Sequence, residues 1–239
     1  MKEEEFNNIF ENGLKELNMS LSKEQLGQFY KYMNILLEWN KVINLTTITK
    51  PEEIILKHFI DSLTILKHIE KKDKIIDVGT GAGFPGIPIK IAFPETTILL
   101  LDSLNKRIKF LNEVISKLNL SNIETIHGRA EDYGRDKKYR EMYDISLARA
   151  VAPLNILVEY LMPFIKKGGK CICMKSYNID EEINLSREAI NILGGKFISS
   201  DELILPNSDI KRKIIKIKKI KNTNIIYPRK SGIPAKQPL

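Results

Sequence analysis

The stretch Asp77-Val78-Gly79-Thr80-Gly81-Ala82-Gly83-Phe84-Pro85-Gly86 constrains this chain more than any other. Four glycines behind an acid come after the apolar pair Ile75-Ile76 and precede a second apolar run. The pattern predicts a strand, a bare turn and a helix, because glycine permits positive φ and lets backbone N–H groups approach a ligand with no Cβ in the way. No Gly-Lys-Ser/Thr comes after it, so the lysine and hydroxyl that a triphosphate and its magnesium require are missing, and a P-loop is excluded. Two nucleotide-type cofactors remain. Read from Gly81, the series Gly81-x-Gly83-x-x-Gly86 matches a dinucleotide fingerprint, with Asp102 at the end of the next strand to take ribose hydroxyls. Read from Asp77, the pattern is acid-x-Gly-x-Gly-x-Gly, with the acid at a strand end where it can organise the loop or meet a cationic amino group.

The second form resembles the first motif of class I S-adenosylmethionine (SAM) methyltransferases, and later residues favour it over NAD. Ile98-Leu99-Leu100-Leu101-Asp102 is an apolar run ending in a carboxylate. Ile123-Glu124-Thr125-Ile126 reads as a third strand, with Gly128-Arg129-Ala130-Glu131-Asp132 just after it. Acidic loops after both strands have no pyrophosphate to neutralise when the ligand is SAM. A second glycine-rich turn, which a dinucleotide enzyme more often carries, is not seen downstream. In class I methyltransferases the carboxylate after the second strand usually holds the ribose diol, and the loop after the third lies on the adenine.

Further segments make the resemblance specific. The Gly-Phe-Pro-Gly ending at Gly83 to Gly86, the segment Ser146-Leu147-Ala148-Arg149-Ala150-Val151-Ala152-Pro153-Leu154, the upstream Glu38-Trp39-Asn40-Lys41-Val42-Ile43-Asn44-Leu45-Thr46 and the tail Tyr227-Pro228-Arg229-Lys230 together resemble one family. It is that of the bacterial small-subunit rRNA guanine-N7 methyltransferases, also called glucose-inhibited division protein B, and the match covers essentially the whole chain. The resemblance implies a cytoplasmic enzyme that takes S-adenosyl-L-methionine as cofactor, acts on 16S rRNA or the assembling small ribosomal subunit, and modifies guanine N7 at nucleotide 527. It implies SAM contacts at Gly79, Phe84, Ala130, Glu131 and Arg149. Gly81 and Asp102 join them from the general class I pattern.

The rest of the chain fits an α/β fold of this class. The first seventy residues read as a helical N-terminal extension. Phe6, Ile9, Phe10, Leu14 and Leu17 recur at three- and four-residue spacing, as do Leu26, Phe29, Tyr30, Met33, Leu36 and Leu37. Ser22 with Gln25 predicts a capping box. A third helix, Pro51 to Ile69, opens with a proline and two glutamates suited to the positive end of its dipole. Trp39, Asn40, Lys41 and the Asn44 to Thr46 segment fall outside the apolar spacing and are candidates for substrate contact. His58 and Asp61 share a helix face, where a structural hydrogen bond is the expectation.

From Lys74, strands at 74–78, 97–101, 123–126, 143–147, 168–175, 196–204 and 210–219 alternate with helices at 84–92, 104–118, 153–164 and 180–193. Alternation predicts a mostly parallel, Rossmann-like sheet covered by helices, and the last two strands, with no helix between them, an antiparallel hairpin. The SAM-binding methyltransferase domain is thus placed at 71–221. A basic, irregular C-terminal tail at 222–239 is expected to order only on RNA. Ligands bind such sheets outside the carboxyl ends of the strands, where Gly79, Asp102, Ala130 and Arg149 would lie.

Net charge sharpens the partner. Of the formal +8, residues 203 to 239 supply the whole excess: ten Lys or Arg against Asp209 alone. Clustering of this kind fits a polyanion, which a small-molecule enzyme does not need. The competing reading is protection of a sheet edge by lysines on the 210–219 strand. Lys175, Arg129, Arg229 and Lys230 are the candidate phosphate contacts. No stretch approaches the roughly 20 apolar residues that cross a bilayer, and no heptad seam suggests self-association, so a cytoplasmic monomer is expected. Cys171 and Cys173, two apart, read as buried strand residues.

The segment after the fourth strand limits the chemistry. Amine methylases commonly place Asp or Asn, Pro-Pro and an aromatic there, and this chain has Leu147 to Pro153 instead. Enzymes acting on pyrimidine C5 need a nucleophilic cysteine near the same loops, and neither cysteine has that setting. Guanine N7 carries a free lone pair, so its methylation needs no general base. As the resemblance implies, Arg149 is assigned to the SAM carboxylate first and to guanine O6 or a phosphate second, since a donor on N7 would block the attacking lone pair, with a structural ion pair as the alternative. Phe84, Trp39 and Tyr177 are the aromatics available to stack on a splayed base. A SAM enzyme for a small molecule or protein, and an RNA-binding assembly factor without activity, are the competing functions.

Overall fold

Seven strands form one sheet in the order β3-β2-β1-β4-β5-β7-β6 in the computed structural model, which describes residues 1–239. The strands are β1 (Lys74–Val78), β2 (Thr97–Asp102), β3 (Ile123–His127), β4 (Tyr143–Arg149), β5 (Ile165–Ser176), β6 (Gly195–Ile204) and β7 (Lys211–Lys219). The first five run parallel, and β7 lies antiparallel to both β5 and β6. Apolar runs at β1 and β2 result from burial on both faces, which a parallel sheet covered by helices imposes. Strand order reverses at β1, whose neighbours are β2 and β4. The loops leaving β1 and β4 therefore diverge and open a crevice between them.

Helices keep the expected alternation with local departures. They are α1 (Glu3–Glu16), α2 (Lys23–Asn40), α3 (Pro51–Ile54), α4 (Asp61–Leu63), α5 (Gly86–Ala92), α6 (Asn105–Lys117), α7 (Ala130–Tyr133), α8 (Leu154–Leu161), α9 (Asp180–Leu185), α10 (Arg187–Ile192) and α11 (Ile233–Lys236). The Ser22–Gln25 capping box forms with both reciprocal bonds. The third predicted helix is not uniform: a π-helical segment, Ile55–Ile60, joins α3 to α4, and a 3₁₀ turn, Leu66–His68, ends the run. The helix predicted at 180–193 is split at Ser186, whose hydroxyl bonds back to the Ile183 carbonyl at 2.8 Å, an interaction that bends helices.

The extension and the sheet share one core. Phe6, Phe10, Phe29 and Phe59 are buried together with Ile75, Leu100 and Ile145 of the sheet. Phe10 meets Phe29 edge-on at 4.8 Å. Each buried phenylalanine contributes about 1.5–3 kcal/mol, which a detached extension would forfeit. The second face of the sheet packs α8 and α10 over Cys171, Cys173, Ile215 and Ile217, so both cysteines are core residues as expected.

Two expectations for the C-terminal part are corrected. β7 is internal to the sheet and not an edge, so its lysines do not guard a free strand. The tail from Asn222 is held by the protein itself: Arg140 donates to the carbonyls of Thr223 at 2.6 Å and Tyr227 at 2.7 Å, and Pro228 is buried. Polar anchors hold it in place of apolar periodicity. That is why its composition reads as irregular.

Candidate active site

The glycine loop is shaped by hydrogen bonds to the ends of β1 and β2. Gly79 N–H donates to the Leu101 carbonyl at 2.8 Å, and Gly81 N–H to Asp102 Oδ2 at 2.9 Å. Asp77 Oδ2 accepts from Thr80 Oγ1 at 2.7 Å and Gly86 N–H at 2.9 Å. Asp77 thus organises the loop, yet its Oδ1 is buried with no partner. Burial pushes the Asp77 carboxyl up to about 6, against those two hydrogen bonds, which pull it down. Gly79 and Gly81 sit at φ +69 and +64. A Cβ on Gly79 would lie 2.9 Å from Val151 Cγ2, whereas one on Gly81 would meet nothing within 4 Å. The Tyr32 hydroxyl, reaching in from α2, caps the Ala82 carbonyl. Sequence spacing missed Tyr32.

A cavity of about 130 Å³ opens beside this loop, lined among others by Gly79, Asp102, Ala130, Glu131 and Tyr160. It lies over the carboxyl ends of β1, β2 and β3, as the topology requires. Asp102 is held by Leu104 N–H at 2.9 Å on Oδ1 and by Arg107 at 3.2 Å on Oδ2. Short helix α7, absent from the sequence reading, presents Ala130 and Glu131 in its first turn.

Arg149, at the end of β4, faces the other way. A second cavity of about 350 Å³ is lined by Lys57, His58, Asp61, Arg149, Lys175 and Arg212, among others. Arg149 Nη1 donates to the Lys57 carbonyl at 2.9 Å and to Asp61 Oδ2 at 3.3 Å, and Nη2 to His58 Nδ1 at 3.0 Å. The π segment makes the first bond possible, because Asp61 N–H reaches back to the Leu56 carbonyl and leaves that of Lys57 to Arg149. Since Arg149 can only donate, His58 accepts on Nδ1 and carries its proton on Nε2, which bonds Thr46 Oγ1 at 2.9 Å. Burial and the Arg149 cation pull the His58 imidazole down to about 3, so the ring is neutral. His58 and Asp61 do not bond each other, as their spacing suggested; both bond Arg149. Asp61, 3% exposed, also accepts from Arg212 Nε at 3.2 Å. Burial raises its pKa despite the two arginines.

Phe84 is 5% exposed, stacked on His58 at 4.5 Å with the Arg149 guanidinium 4.9 Å over its ring. It lines neither cavity. Of the expected cofactor contacts, Gly79, Asp102, Ala130 and Glu131 therefore border the first cavity, Arg149 borders the second, and Phe84 and Gly81 support the loop between them. Asn40 staples its own turn by accepting from Leu45 and Thr46 N–H. Trp39 packs edge-on to Phe110, and Tyr177 lies under Lys211 and Lys213.

The basic C-terminal stretch divides in half. Arg212, Lys213, Lys216, Lys219 and Arg229 pair with acids of the fold, whereas Lys211, Lys218, Lys221, Lys230 and Lys236 are exposed and unpaired. Arg229 is committed to the fully buried Glu159, and Lys175 to Glu182 and the Ala152 carbonyl at 2.6 Å. Of the four candidate phosphate contacts, Lys230 and the exposed Arg129 stand free.

This arrangement has relatives. A family model described as rRNA small subunit methyltransferase G matches residues 25–209. The ribosomal RNA small subunit methyltransferase G of Acetivibrio thermocellus is 54% identical over 239 residues, which is 100% of this chain and 98% of that protein. The protein of the same name from Alkaliphilus metalliredigens is 49% identical, covering 97% and 98%. Among solved structures, the YcgJ protein of Bacillus subtilis aligns with TM-score 0.53 at 15% identity over 69% of this chain and 100% of that one. TYW2 of M. jannaschii, in complex with AdoMet, aligns with TM-score 0.51 at 16% identity over 63% and 71%. The solved structures share the fold; the sequence matches, spanning the glycine loop, the β4 end and the extension alike, make the chain a member of the rRNA small subunit methyltransferase G family.

Proposed function

We propose that this chain transfers a methyl group from S-adenosylmethionine to guanine N7 of small-subunit rRNA, at nucleotide 527 of 16S rRNA. One observation carries the geometric case: two cavities of opposite character meet across the β4 end. The first is bordered by Asp102 and Glu131 against the single cation Arg129, an acidic balance that suits a sulfonium nucleoside and opposes a pyrophosphate. The second is bordered by Lys57, Arg149, Lys175 and Arg212, which suit a nucleotide.

The residues present fit the cofactor. The loop offers bare backbone where a side chain on Gly79 would strike Val151, and Asp77 has a buried oxygen awaiting a cation. Asp102 would hold the ribose hydroxyls, Ala130 and Glu131 the adenine side, and Asp77 the amino group. Arg149 has Nε and one Nη2 hydrogen left after its protein bonds, and these would take the carboxylate. SAM supplies a methyl group already activated on sulfur, so the chain's task is orientation. No base is needed at N7. Consistent with this, both ring nitrogens of His58 are engaged and the ring stays neutral.

The acceptor guanine occupies the second cavity, its loop splayed as unpaired RNA recognition requires. Lys230 and Lys211, the unpaired lysines near the carboxyl ends of the strands, hold the phosphates, with Lys175 on the rim of the cavity. Incubation with labelled SAM and undermethylated small subunits or naked 16S rRNA, and then mapping of the label, tests the reading. Label at guanine N7 of nucleotide 527 supports it. Label in a small molecule or protein, or RNA binding with no label, overturns it.

A further inference from the structure

The C-terminal segment runs beside the first cavity, and its anchors are unusually complete. Arg229 gives Glu159 three donors: its N–H at 2.7 Å and Nε at 3.0 Å to Oε1, and Nη2 at 2.6 Å to Oε2. Glu159 lies on α8 with no exposed surface. Three residues on, Gly232 turns through φ +82 and its N–H donates to Glu131 Oε1 at 2.9 Å. Glu131 lies on α7 and lines the cavity with Tyr160, the residue after Glu159. Upstream, Arg140 holds the carbonyls of Gly134, Thr223, Asn224 and Tyr227. One continuous strand of chain thus fixes a carboxylate on each of the two helices that wall the cavity.

We infer that residues 227–232 form a strap that positions Glu131 for the methyl donor, with Arg229 and Gly232 as positioning residues for cofactor binding. The Gly232 N–H occupies Oε1 and no protein donor takes Oε2, while Glu131 lines the cavity. The Arg229–Glu159 pair sets where that N–H stands, since only two residues separate Arg229 from Gly232. A carboxylate oriented in advance binds without the cost of ordering itself. α7 is a single turn and cannot fix Glu131 alone. The inference rests on placing the donor in the first cavity.

The test is a double-mutant cycle on SAM affinity, measured by calorimetry on the full chain below its melting temperature. Arg229→Ala is expected to weaken SAM binding about tenfold, the scale of one charge-assisted hydrogen bond. Arg229→Lys, which keeps the charge and loses the fork, should fall between Ala and wild type and serves if the alanine variant does not fold. In a Glu131→Gln background, Arg229→Ala should add less than twofold. A lowered melting temperature with unchanged SAM affinity in either variant, or a full tenfold effect in the Glu131→Gln background, would overturn the strap. Absence of SAM binding by the wild-type chain would instead overturn the placement of the donor.

Discussion

Asp77→Asn separates the two duties of the acid in the glycine loop. In the folded chain its carboxyl titrates at about 6, against an ordinary value of 3.8, because burial disfavours the charge more than Thr80 and Gly86 support it. The gap corresponds to about 3 kcal/mol. The pKa is raised on folding, so between pH 4 and 6 the native chain holds a proton the unfolded chain has released. The stabilisation is therefore complete below about pH 4 and gone above about pH 6. Asparagine cannot titrate, but its carbonyl can still accept from Thr80 and Gly86. Its amide lies where Oδ1 has no partner and costs about 1–3 kcal/mol at every pH. Urea unfolding of both proteins, monitored by Trp39 fluorescence at half-unit steps from pH 4 to 7.5, isolates the titration as the pH-dependent part of the difference. Wild type should lose about 3 kcal/mol relative to the variant across that range. A flat difference, or one of opposite slope, would refute the claim that Asp77 is a desolvated acid. SAM affinity should behave oppositely, rising through pH 6 in wild type and staying flat in the variant, because only the ionised acid attracts an ammonium.

Gly79→Ala should weaken SAM binding and lower the melting temperature more than Gly81→Ala: both incur about 1–2 kcal/mol of left-handed strain, but only the first meets Val151. Equal effects would argue against close approach at Gly79. Asp61→Asn leaves the guanidiniums of Arg149 and Arg212 without their shared counter-charge, and chemical denaturation should show a loss of about 3–5 kcal/mol. His58, its pKa lowered to about 3, contributes stability that is lost as pH falls from about 6.5, where the unfolded imidazole begins to protonate. His58→Gln should therefore flatten the stability profile between pH 4 and 6.5. Replacing Lys211, Lys218, Lys221, Lys230 and Lys236 by alanine should reduce the log–log salt slope of rRNA binding by about 0.7 for each lost phosphate contact, while the same change at Lys213 and Lys219 should act on stability. An unchanged slope would remove the exposed lysines from the RNA interface.

The first cavity was legible because it is local. Asp77 and Asp102 sit at the ends of β1 and β2, and Gly79, Ala130 and Glu131 sit just after strands whose apolar runs mark their ends; a parallel sheet brings those ends together. The parallel sheet itself was legible from alternation. Tyr32 escaped because its ring belongs to the apolar face of α2 while its hydroxyl serves the loop fifty residues on, and spacing reads only the first. The strap escaped for a related reason. Arg229 and Glu159 are 70 residues apart, and a tail rich in proline, glycine and lysine looks unstructured when its order rests on a few buried polar bonds. The same blindness overstated the basic footprint, since half of its cations are committed to acids that no local pattern pairs with them.

The acceptor half is built on a different principle, and this bears on what the extension is for. Arg149 comes from the end of β4, Lys57, His58 and Asp61 from the helical extension, and Arg212 from the start of β7. None of these is a neighbour in sequence of another segment's residues, so the second cavity exists only once the extension has docked through its phenylalanine core. Asp61 joins all three parts, and its two arginines would repel each other without it. An open α/β sheet supplies the first cavity at the carboxyl ends of its own strands. The extension is thus one wall of the second cavity as much as a cap on the sheet, and if that cavity takes the acceptor nucleotide, removing the extension should abolish nucleotide recognition even where the glycine loop stays intact.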